Sequence, residues 1–291
     1  MTSASGRPQG TARYRKGLWG PLASLTLYHW LLVGLSFTLA LPFLWMVLTS
    51  LKPLSEVGLA NWWPLDIRRS NYGRVFELPG IQFGRWYWNS VLVAACVTCL
   101  TVLTSAMAAF SFSRLQWPGR DRVFLLYLGT MMLPGLVMMI PNYQVMIQLG
   151  LVDSYLGLII PSSFSAFGTF LLRQFMMTIP ASLDEAAEID GASKWQVFWE
   201  VILPLSRPGL ITLAIFTFMG AYQSFFWPLV MMKTTCRYTL PIGLLFFDSE
   251  QGQETTLLMA AVTMSVVPML AIFVLLQKHL VKGIQLGGVK G

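Results

Sequence analysis

The sequence predicts an all-α integral membrane protein with six transmembrane helices. Of its 291 residues, 55% are hydrophobic and only 11% are charged, whereas about a quarter of the residues in a soluble globular protein are charged. Long stretches without Asp, Glu, Lys or Arg recur along the chain, and about 20 apolar residues suffice to cross a bilayer as a helix. The net charge of +7 comes from residues that form no patch interleaved with aromatic side chains. A membrane setting therefore explains the charge better than nucleic-acid binding does.

The first two predicted spans follow a basic segment. Residues 1–23 contain four Lys or Arg residues and no acid, and we interpret them as a cytoplasmic tail because Lys and Arg accumulate on that side of membranes. The first span is predicted from Ser24 to Leu51 and the second from Trp86 to Ser113, since neither stretch contains a charged residue. The mixed segment between them, residues 52–85, is predicted to lie outside the membrane.

Prolines interrupt the next two predicted spans. The third begins at Val123 and is predicted to be broken by Pro134 and Pro141, because proline lacks the N–H that a helix needs. The fourth, Tyr155 to Leu172, is short and contains Pro161. Non-helical backbone at membrane depth occurs only where it is buried or lines an aqueous cavity. The third to fifth spans are therefore candidates for lining a path, and ordinary proline kinks packed on neighbouring helices are the alternative.

A polar segment, residues 178–208, separates the fourth span from the fifth and holds five of the 13 carboxylates of the chain. Ser182 to Glu185 predicts a capping box that begins a short helix, and Gly191 suits the left-handed conformation that ends one. Ser193 to Gln196 predicts a second capping box, and its helix is predicted to end before Pro204. Isolated helices of this length are marginal in water. The pair must therefore pack, either on its own membrane domain or in a groove of another protein.

The fifth span is predicted from Gly209 to Met232 and the sixth from Thr255 to Gln277. Six crossings place both termini on the same side as the polar segment. Most Lys and Arg residues fall in these same-side segments, which indicates the cytoplasm. We therefore expect a six-span domain over residues 24–281, flanked by cytoplasmic tails at 1–23 and 282–291.

Motifs of catalytic and ion-coupled proteins are absent from the sequence. It contains no G-x-x-x-x-G-K-[ST] motif, so we expect no direct binding of ATP phosphates. No predicted span contains Asp, Glu, Lys or Arg, which argues against a secondary transporter with a proton relay. Cys96 and Cys99 have no second cysteine pair or nearby His, so we expect no metal site. We expect neither enzyme activity nor a directly bound cofactor, and no nucleic-acid partner.

The polar segment resembles a known family. Its sequence is similar to the EAA loop of permease subunits of bacterial ABC importers at Glu185-Ala186-Ala187, Asp190-Gly191-Ala192, Phe198, Leu203-Pro204-Leu205 and Pro208. Three further segments resemble the carbohydrate-uptake, maltose-type branch: Leu172 to Phe175, Ile179-Pro180 and Gly287 to Gly291. The resemblance implies the permease architecture of type I ABC importers, with both termini cytoplasmic, in the bacterial cytoplasmic (inner) membrane.

The resemblance also implies function and partners. In that family the EAA loop is a coupling helix that docks on a separate ATPase subunit, a role carried over here to Glu185, Ala186, Ala187, Ile189, Asp190, Gly191 and Ala192. The implied partners are ATPase subunits that bind ATP and Mg, a second permease, an extracytoplasmic solute-binding protein and the lipid bilayer. The chain would form half of the translocation path for a carbohydrate or related polyhydroxylated solute. An ABC permease for a non-sugar solute and a secondary transporter are the alternatives.

The candidate substrate path contains Tyr222, Gln223, Ser224 and Trp227. Relatives in the carbohydrate branch usually have Trp-Asn-Asp or Trp-Asn-Glu at the first three positions, so the carboxylate is missing here. A helix that starts at Pro208 would place Gln223 about 22 Å along the fifth span. An amide at that depth needs a partner, which is either a solute hydroxyl or a group on the partner permease. Uncharged donors and acceptors beside aromatic rings predict a neutral solute.

Overall fold

The computed structural model describes the backbone of residues 19–59, 61–249 and 254–288, and side chains over 28–59, 61–247 and 254–275. These residues form helices and contain no strand. The α-helices are α1 Trp19–Ser50, α2 Asn71–Glu77, α3 Phe83–Arg114, α4 Arg120–Gly129, α5 Gly135–Gln148, α6 Tyr155–Ser162, α7 Ala166–Met176, α8 Ser182–Ile189, α9 Lys194–Gln196, α10 Leu203–Leu205, α11 Arg207–Tyr222, α12 Phe226–Met231, α13 Leu240–Gly243, α14 Phe246–Ser249 and α15 Thr255–Gly288. A π-helical segment, Val197–Ile202, joins α9 to α10. The predicted basic tail lies outside the described residues except for its last five, which belong to α1.

The helices account for six membrane crossings. Three are long and apolar enough to span a bilayer alone: Tyr28–Ser50, Phe83–Arg114 and Thr255–Leu275. Three bent pairs also qualify when each pair is counted as one span: Arg120–Met132 with Gly135–Gln148, Tyr155–Ser162 with Ala166–Met176, and Lys194–Leu205 with Arg207–Tyr222. The all-α architecture with six spans is as predicted.

The third span is broken at Pro134, where the chain bends by 101°. Leu133 and Pro134 have extended backbone with ψ near 120–130°, because the proline ring disfavours helical geometry in the residue before it. The predicted break at Pro141 is wrong, since Pro141 lies inside α5. Pro161 likewise lies inside α6, which ends one residue later at the 44° bend into α7. A proline removes one helical hydrogen bond, which membrane-spanning helices tolerate.

The fifth span is not the single helix predicted over Gly209–Met232. α11 ends at Tyr222, and the chain re-enters a helix only at Phe226. Pro228 explains the break, because its ring would clash with the carbonyl of Ser224 in a continuous helix. Pro228 instead occupies the first turn of α12, where its missing N–H is not needed.

α3 is the central helix of the bundle and packs mainly on α7 and α11. Gly168 allows the close approach of α7, because a Cβ atom added there would lie 2.6 Å from the Ser105 Oγ atom and 3.0 Å from a Leu213 methyl carbon. At the end of α3 near the polar segment, Phe110 packs in one buried cluster with Leu172 and Phe198. This cluster joins the membrane helices to the polar segment.

Candidate functional site

The polar segment forms two short helices joined by a tight turn. Gly191 follows α8 with φ of +89°, as predicted from its position. The Ala192 N–H donates to the Ala187 carbonyl at 2.9 Å, and the Gly191 N–H donates to the Glu188 carbonyl at 3.0 Å. These two bonds constitute a Schellman motif, which closes the end of a helix and satisfies its last carbonyls. The angle at which the chain leaves α8 therefore depends on the left-handed conformation of Gly191.

One of the two predicted capping boxes is present. The Ser193 Oγ atom accepts the Gln196 N–H, and the Ser193 N–H donates to Gln196 Oε1 at 2.8 Å. The predicted box between Ser182 and Glu185 is wrong, because the N-cap is Ala181 and no side chain caps α8. The Glu185 N–H instead donates to the Ala181 carbonyl. Since α8 begins one residue earlier than expected, Ser182 is already its first helical residue.

The second helix does not end before Pro204, contrary to the prediction. It passes from α9 into the π-helical segment and continues through α10, which contains Pro204. The Leu203 N–H donates to the Phe198 carbonyl, five residues earlier. Such π turns are rare and often occur at functional sites. Here the wider turn immediately precedes a proline that cannot donate to the regular α-helical ladder.

The seven predicted coupling residues divide between an exposed edge and a packed edge. Ala187 and Ala192 are half-buried against the cluster around Phe198. The other five are exposed: Glu185, Ala186, Ile189, Asp190 and Gly191. Ile189 is 86% exposed, although it is a large apolar residue. The α8 helix is therefore anchored along one side and presents the other side outward.

A buried ion pair joins α8 to α3, and sequence reasoning did not identify it. Arg114 Nη1 lies 3.1 Å from Asp184 Oδ2, and the two side chains are only 9% and 15% exposed. Arg114 Nη2 also donates to the carbonyls of Met176 at 2.6 Å and Ile179 at 2.8 Å. Burial raises the pKa of Asp184, whereas the charge of Arg114 acts to lower it. The available sequence signal was the helix-capping position of Asp184, which says nothing about a partner 70 residues away.

Two adjoining cavities lie where the helices are broken. The first, of about 360 Å³, lies among α3, α6, α7, α11 and α12, and the second, of about 530 Å³, extends toward α5. They share Ser162, Ser224 and Trp227. Further hydroxyl and aromatic groups line the first cavity: Ser90, Thr101, Ser165, Thr217, Thr239, Phe164, Phe167 and Phe216. Among the described residues, no charged side chain lines either cavity.

The structure separates the four predicted path residues. Ser224 and Trp227 line both cavities, and Trp227 Nε1 donates to the Gly157 carbonyl at 3.1 Å. Tyr222 is only 4% exposed, and its hydroxyl donates to the Ser265 carbonyl at 2.9 Å. Gln223 is exposed at the end of α11, with its amide 3.3 Å from the Met269 sulfur atom. Neither Tyr222 nor Gln223 lines the described cavities.

A second charged contact closes the opposite end of the bundle. Asp153 has a positive φ of 57° and accepts the N–H groups of Lys233 at 2.9 Å and Thr234 at 3.1 Å. Its carboxylate also accepts the Thr234 hydroxyl at 2.5 Å and Arg237 Nη1 at 3.0 Å. Desolvation acts to raise the pKa of Asp153, but these hydrogen bonds and the Arg237 charge outweigh it and lower the pKa to about 2. The loop after α5 is thereby tied to the segment after α12.

Comparison with known proteins covers almost the whole chain. Residues 21–286 match the family described as "Binding-protein-dependent transport system inner membrane component". The chain is 32% identical over 261 residues to the arabinooligosaccharides transport system permease protein AraQ of Halalkalibacterium halodurans, covering 88% of this chain and 93% of that protein. It is 35% identical over 204 residues to the sn-glycerol-3-phosphate transport system permease protein UgpE of Yersinia enterocolitica, covering 69% of this chain and 73% of that protein.

A solved structure has the same fold. A chain in the crystal structure of a bacterial ABC transporter involved in the import of the acidic polysaccharide alginate superposes with a TM-score of 0.77 at 24% identity. The match covers 94% of this chain and 100% of that chain. The overall arrangement of helices described above is therefore a known fold.

Proposed function

The chain belongs to the family of binding-protein-dependent transport system inner membrane components, and we propose that it moves a neutral carbohydrate as one half of an ATP-driven importer. Permeases of ABC transporters are multi-pass inner-membrane proteins, and the six spans of this chain fit that class. In this proposal both termini and α8 face the cytoplasm, and the Asp153 contact faces the outside.

The observation that carries the solute assignment is the composition of the cavities. Their walls combine hydroxyl groups with the rings of Trp227, Phe164, Phe167 and Phe216, and no charged side chain among the described residues reaches them. Hydroxyl groups exchange hydrogen bonds with sugar hydroxyls in either direction. A phosphate or carboxylate group would instead favour Arg or Lys, which bind such anions through charge-assisted hydrogen bonds. A neutral oligosaccharide therefore fits this wall better than glycerol phosphate or an acidic polysaccharide.

We assign energy coupling to α8. Its exposed side carries Ile189 and Ala186 beside the carboxylates of Glu185 and Asp190. An exposed apolar residue flanked by charged ones suits a groove on a partner protein. The partner is an ATPase subunit that binds ATP and Mg, and this chain contributes no phosphate-binding loop. A second permease completes the path, and an extracytoplasmic solute-binding protein delivers the solute.

Reconstitution tests the proposal. The chain would be purified with its partner permease and ATPase subunits in proteoliposomes, and ATP-dependent uptake would be measured with its solute-binding protein. We expect uptake of a neutral oligosaccharide such as an arabinooligosaccharide, and no ATP hydrolysis by this chain alone. Uptake restricted to sn-glycerol 3-phosphate or uronate oligosaccharides would contradict the solute assignment. Uptake that is driven by a proton gradient without ATP would identify a secondary transporter instead.

A further inference from the structure

The guanidinium group of Arg114 joins three parts of the protein. Arg114 is the last residue of α3, and its Nη1 atom pairs with Asp184 in the first turn of α8. Its Nη2 atom holds the carbonyls of Met176 at the end of α7 and of Ile179 in the turn before α8. One side chain thus connects a membrane-spanning helix to both the approach to α8 and α8 itself.

General stability does not account for this contact. Arg114 Nε and Asp184 Oδ1 are buried without a hydrogen-bond partner in the described part of the chain. Desolvating an ion pair is costly, and the attraction repays that cost only when the remaining polar atoms are also satisfied. A well-packed apolar pair would stabilise the loop as well or better. The ion pair therefore points to a requirement for a defined geometry between α3 and α8.

α3 extends this geometry to the cavity. Val93, Val97 and Thr101 of α3 line the first cavity, and Thr101 lies about 20 Å along the helix from Arg114. Within the described residues α3 is a continuous 32-residue helix without a proline. The helices on the other sides of the cavity are interrupted beside it, by the bend between α6 and α7 and by the break after α11. A displacement at Arg114 therefore reaches the cavity through one unbroken helix.

The other polar contact of α8 is local. α8 packs on the π-helical segment of its own loop, and Ala187 makes apolar contact with the buried cluster that contains Phe110 and Phe198. Among the polar contacts of the described residues, Glu188 pairs with Lys194 in that same loop, with side chains 39% and 60% exposed. Exposed pairs of this kind contribute little to stability. The Arg114–Asp184 pair is thus the direct polar link from α8 to a membrane-spanning helix, and Glu188 provides a matched control.

We propose that Arg114 and Asp184 are positioning residues that transmit the movement of α8 to α3 and so to the wall of the solute cavity. This inference rests on the proposed role of α8 as the docking site for an ATPase subunit. When the docked subunit shifts α8, Asp184 carries the guanidinium group with it, and the carbonyls of Met176 and Ile179 move together with α3. Removal of the charge on Asp184 leaves the docking side intact but disconnects it from the cavity.

The test compares four substitutions in the complete transport complex, Arg114→Lys and three at Asp184 and Glu188. Asp184→Asn keeps the size of the side chain and removes its charge, Asp184→Glu keeps the charge, and Glu188→Gln removes a charge from the exposed pair. Four quantities are measured: co-purification of the ATPase subunits, basal ATP hydrolysis, hydrolysis stimulated by the loaded solute-binding protein, and solute molecules transported per ATP.

We expect Asp184→Asn to retain assembly and basal hydrolysis while solute transported per ATP falls by roughly 5-fold or more, the lower end of typical coupling between sites. Asp184→Glu should restore most of the coupling, and Glu188→Gln should behave as wild type. Arg114→Lys should be intermediate, because an ammonium group keeps the charge but cannot reproduce the planar fork that contacts three oxygen atoms.

Three results would overturn the inference. These are unchanged transport per ATP in Asp184→Asn, an equal loss in Glu188→Gln, or loss of ATPase binding in Asp184→Asn, since the last would show that the pair only maintains the loop. Cross-linking of the Ile189→Cys variant to the ATPase subunit distinguishes a failure of the proposed function from a failure of the inference. If the Ile189→Cys complex does not cross-link and the wild-type complex does not transport, the coupling role of α8 fails and the inference fails with it. If the Ile189→Cys complex cross-links and the wild-type complex transports, a negative result in Asp184→Asn refutes the inference alone.

Discussion

Replacement of Gly191 by valine tests whether the turn after α8 determines coupling. Gly191 has φ of +89°, and no atom of a residue beyond its chain neighbours lies within 4 Å of where a Cβ atom would be. A Cβ atom therefore has room at this position, and the expected cost of a substitution comes from the backbone conformation. Left-handed geometry costs an L-residue about 1–2 kcal/mol, and a β-branched residue at positive φ is a stronger outlier still.

The strain has a defined way to relax. A change of φ to a negative value would break the bonds from Ala192 to Ala187 and from Gly191 to Glu188. It would also change the direction of α8 and separate Ala187 from the buried cluster that contains Phe198. A free-energy cost of about 1–3 kcal/mol corresponds to roughly a 5- to 150-fold change in an equilibrium constant. We therefore expect the affinity of the permease pair for the ATPase subunits to decrease by a factor in that range.

The assay uses a series at one position. Gly191→Asn should retain most ATPase binding, because Asn tolerates the left-handed region better than other residues, whereas Gly191→Ala should be intermediate and Gly191→Val the weakest. Glu185→Ala removes one carboxylate from the docking side but leaves the backbone of α8 unchanged, since Glu185 caps nothing there. It should therefore bind better than Gly191→Val. Binding is measured by titrating ATPase subunits onto permease complexes in nanodiscs. Equal binding of Gly191→Val and wild type would refute the hinge, as would a defect in Gly191→Asn as large as that of Gly191→Val.

Three further predictions concern topology, the outer contact and the cavity. A cysteine that replaces Lys194 should be protected from membrane-impermeant thiol reagents in intact cells, and one that replaces the exposed Arg69 should react. Labelling at position 194 from outside would contradict the predicted topology. The pKa of Asp153 is lowered to about 2, so its stabilisation is complete above its ordinary pKa and is lost as pH falls through about 2. The difference in thermal unfolding between wild type and Asp153→Asn should therefore stay constant from pH 8 to about pH 5 and shrink only below pH 4. Ser224→Val narrows both cavities and should reduce solute uptake at unchanged basal hydrolysis, more than Gln223→Leu does; the opposite order would place the path along Gln223.

The features that the sequence predicts correctly are those with a local physical cause. The six spans follow from length and composition, and the turn at Gly191 follows from a backbone conformation that other residues avoid. The capping box between Ser193 and Gln196 could be predicted because its two partners are only three residues apart. The failed box at Ser182 depended on where α8 begins, and helix ends are uncertain by one or two residues. In the same turn Asp184 bonds to a distant arginine, which no local pattern reveals.

The rotation of α11 about its axis explains why only two of the four predicted path residues, Ser224 and Trp227, line the described cavities. α11 is apolar on nearly all sides, and such a helix has no polar stripe that marks the face turned toward a cavity. Tyr222 therefore packs on Phe218, with ring centroids 5.8 Å apart, and turns away from the space that its neighbours line. Most cavity hydroxyls were missed for a related reason. Ser162 and Thr217 lie singly in apolar stretches, where serine and threonine are also common as groups that bond to their own helix.

The distribution of charge relates the cavity to the two ends of the bundle. Ionisable side chains are costly inside a membrane, and among the described residues the ion pairs of Asp153 and Asp184 lie in loop segments at opposite ends. Between them the polar groups of the described cavity walls are hydroxyl and amide groups, set among aromatic and aliphatic side chains. Directional contacts thus fix the geometry of the helices at the ends, while the middle is held by apolar packing without a defined ionic contact. A neutral solute can exchange hydrogen bonds with such a middle section without having to separate an ion pair, whereas in the proposed coupling a change in the position of α8 acts through one.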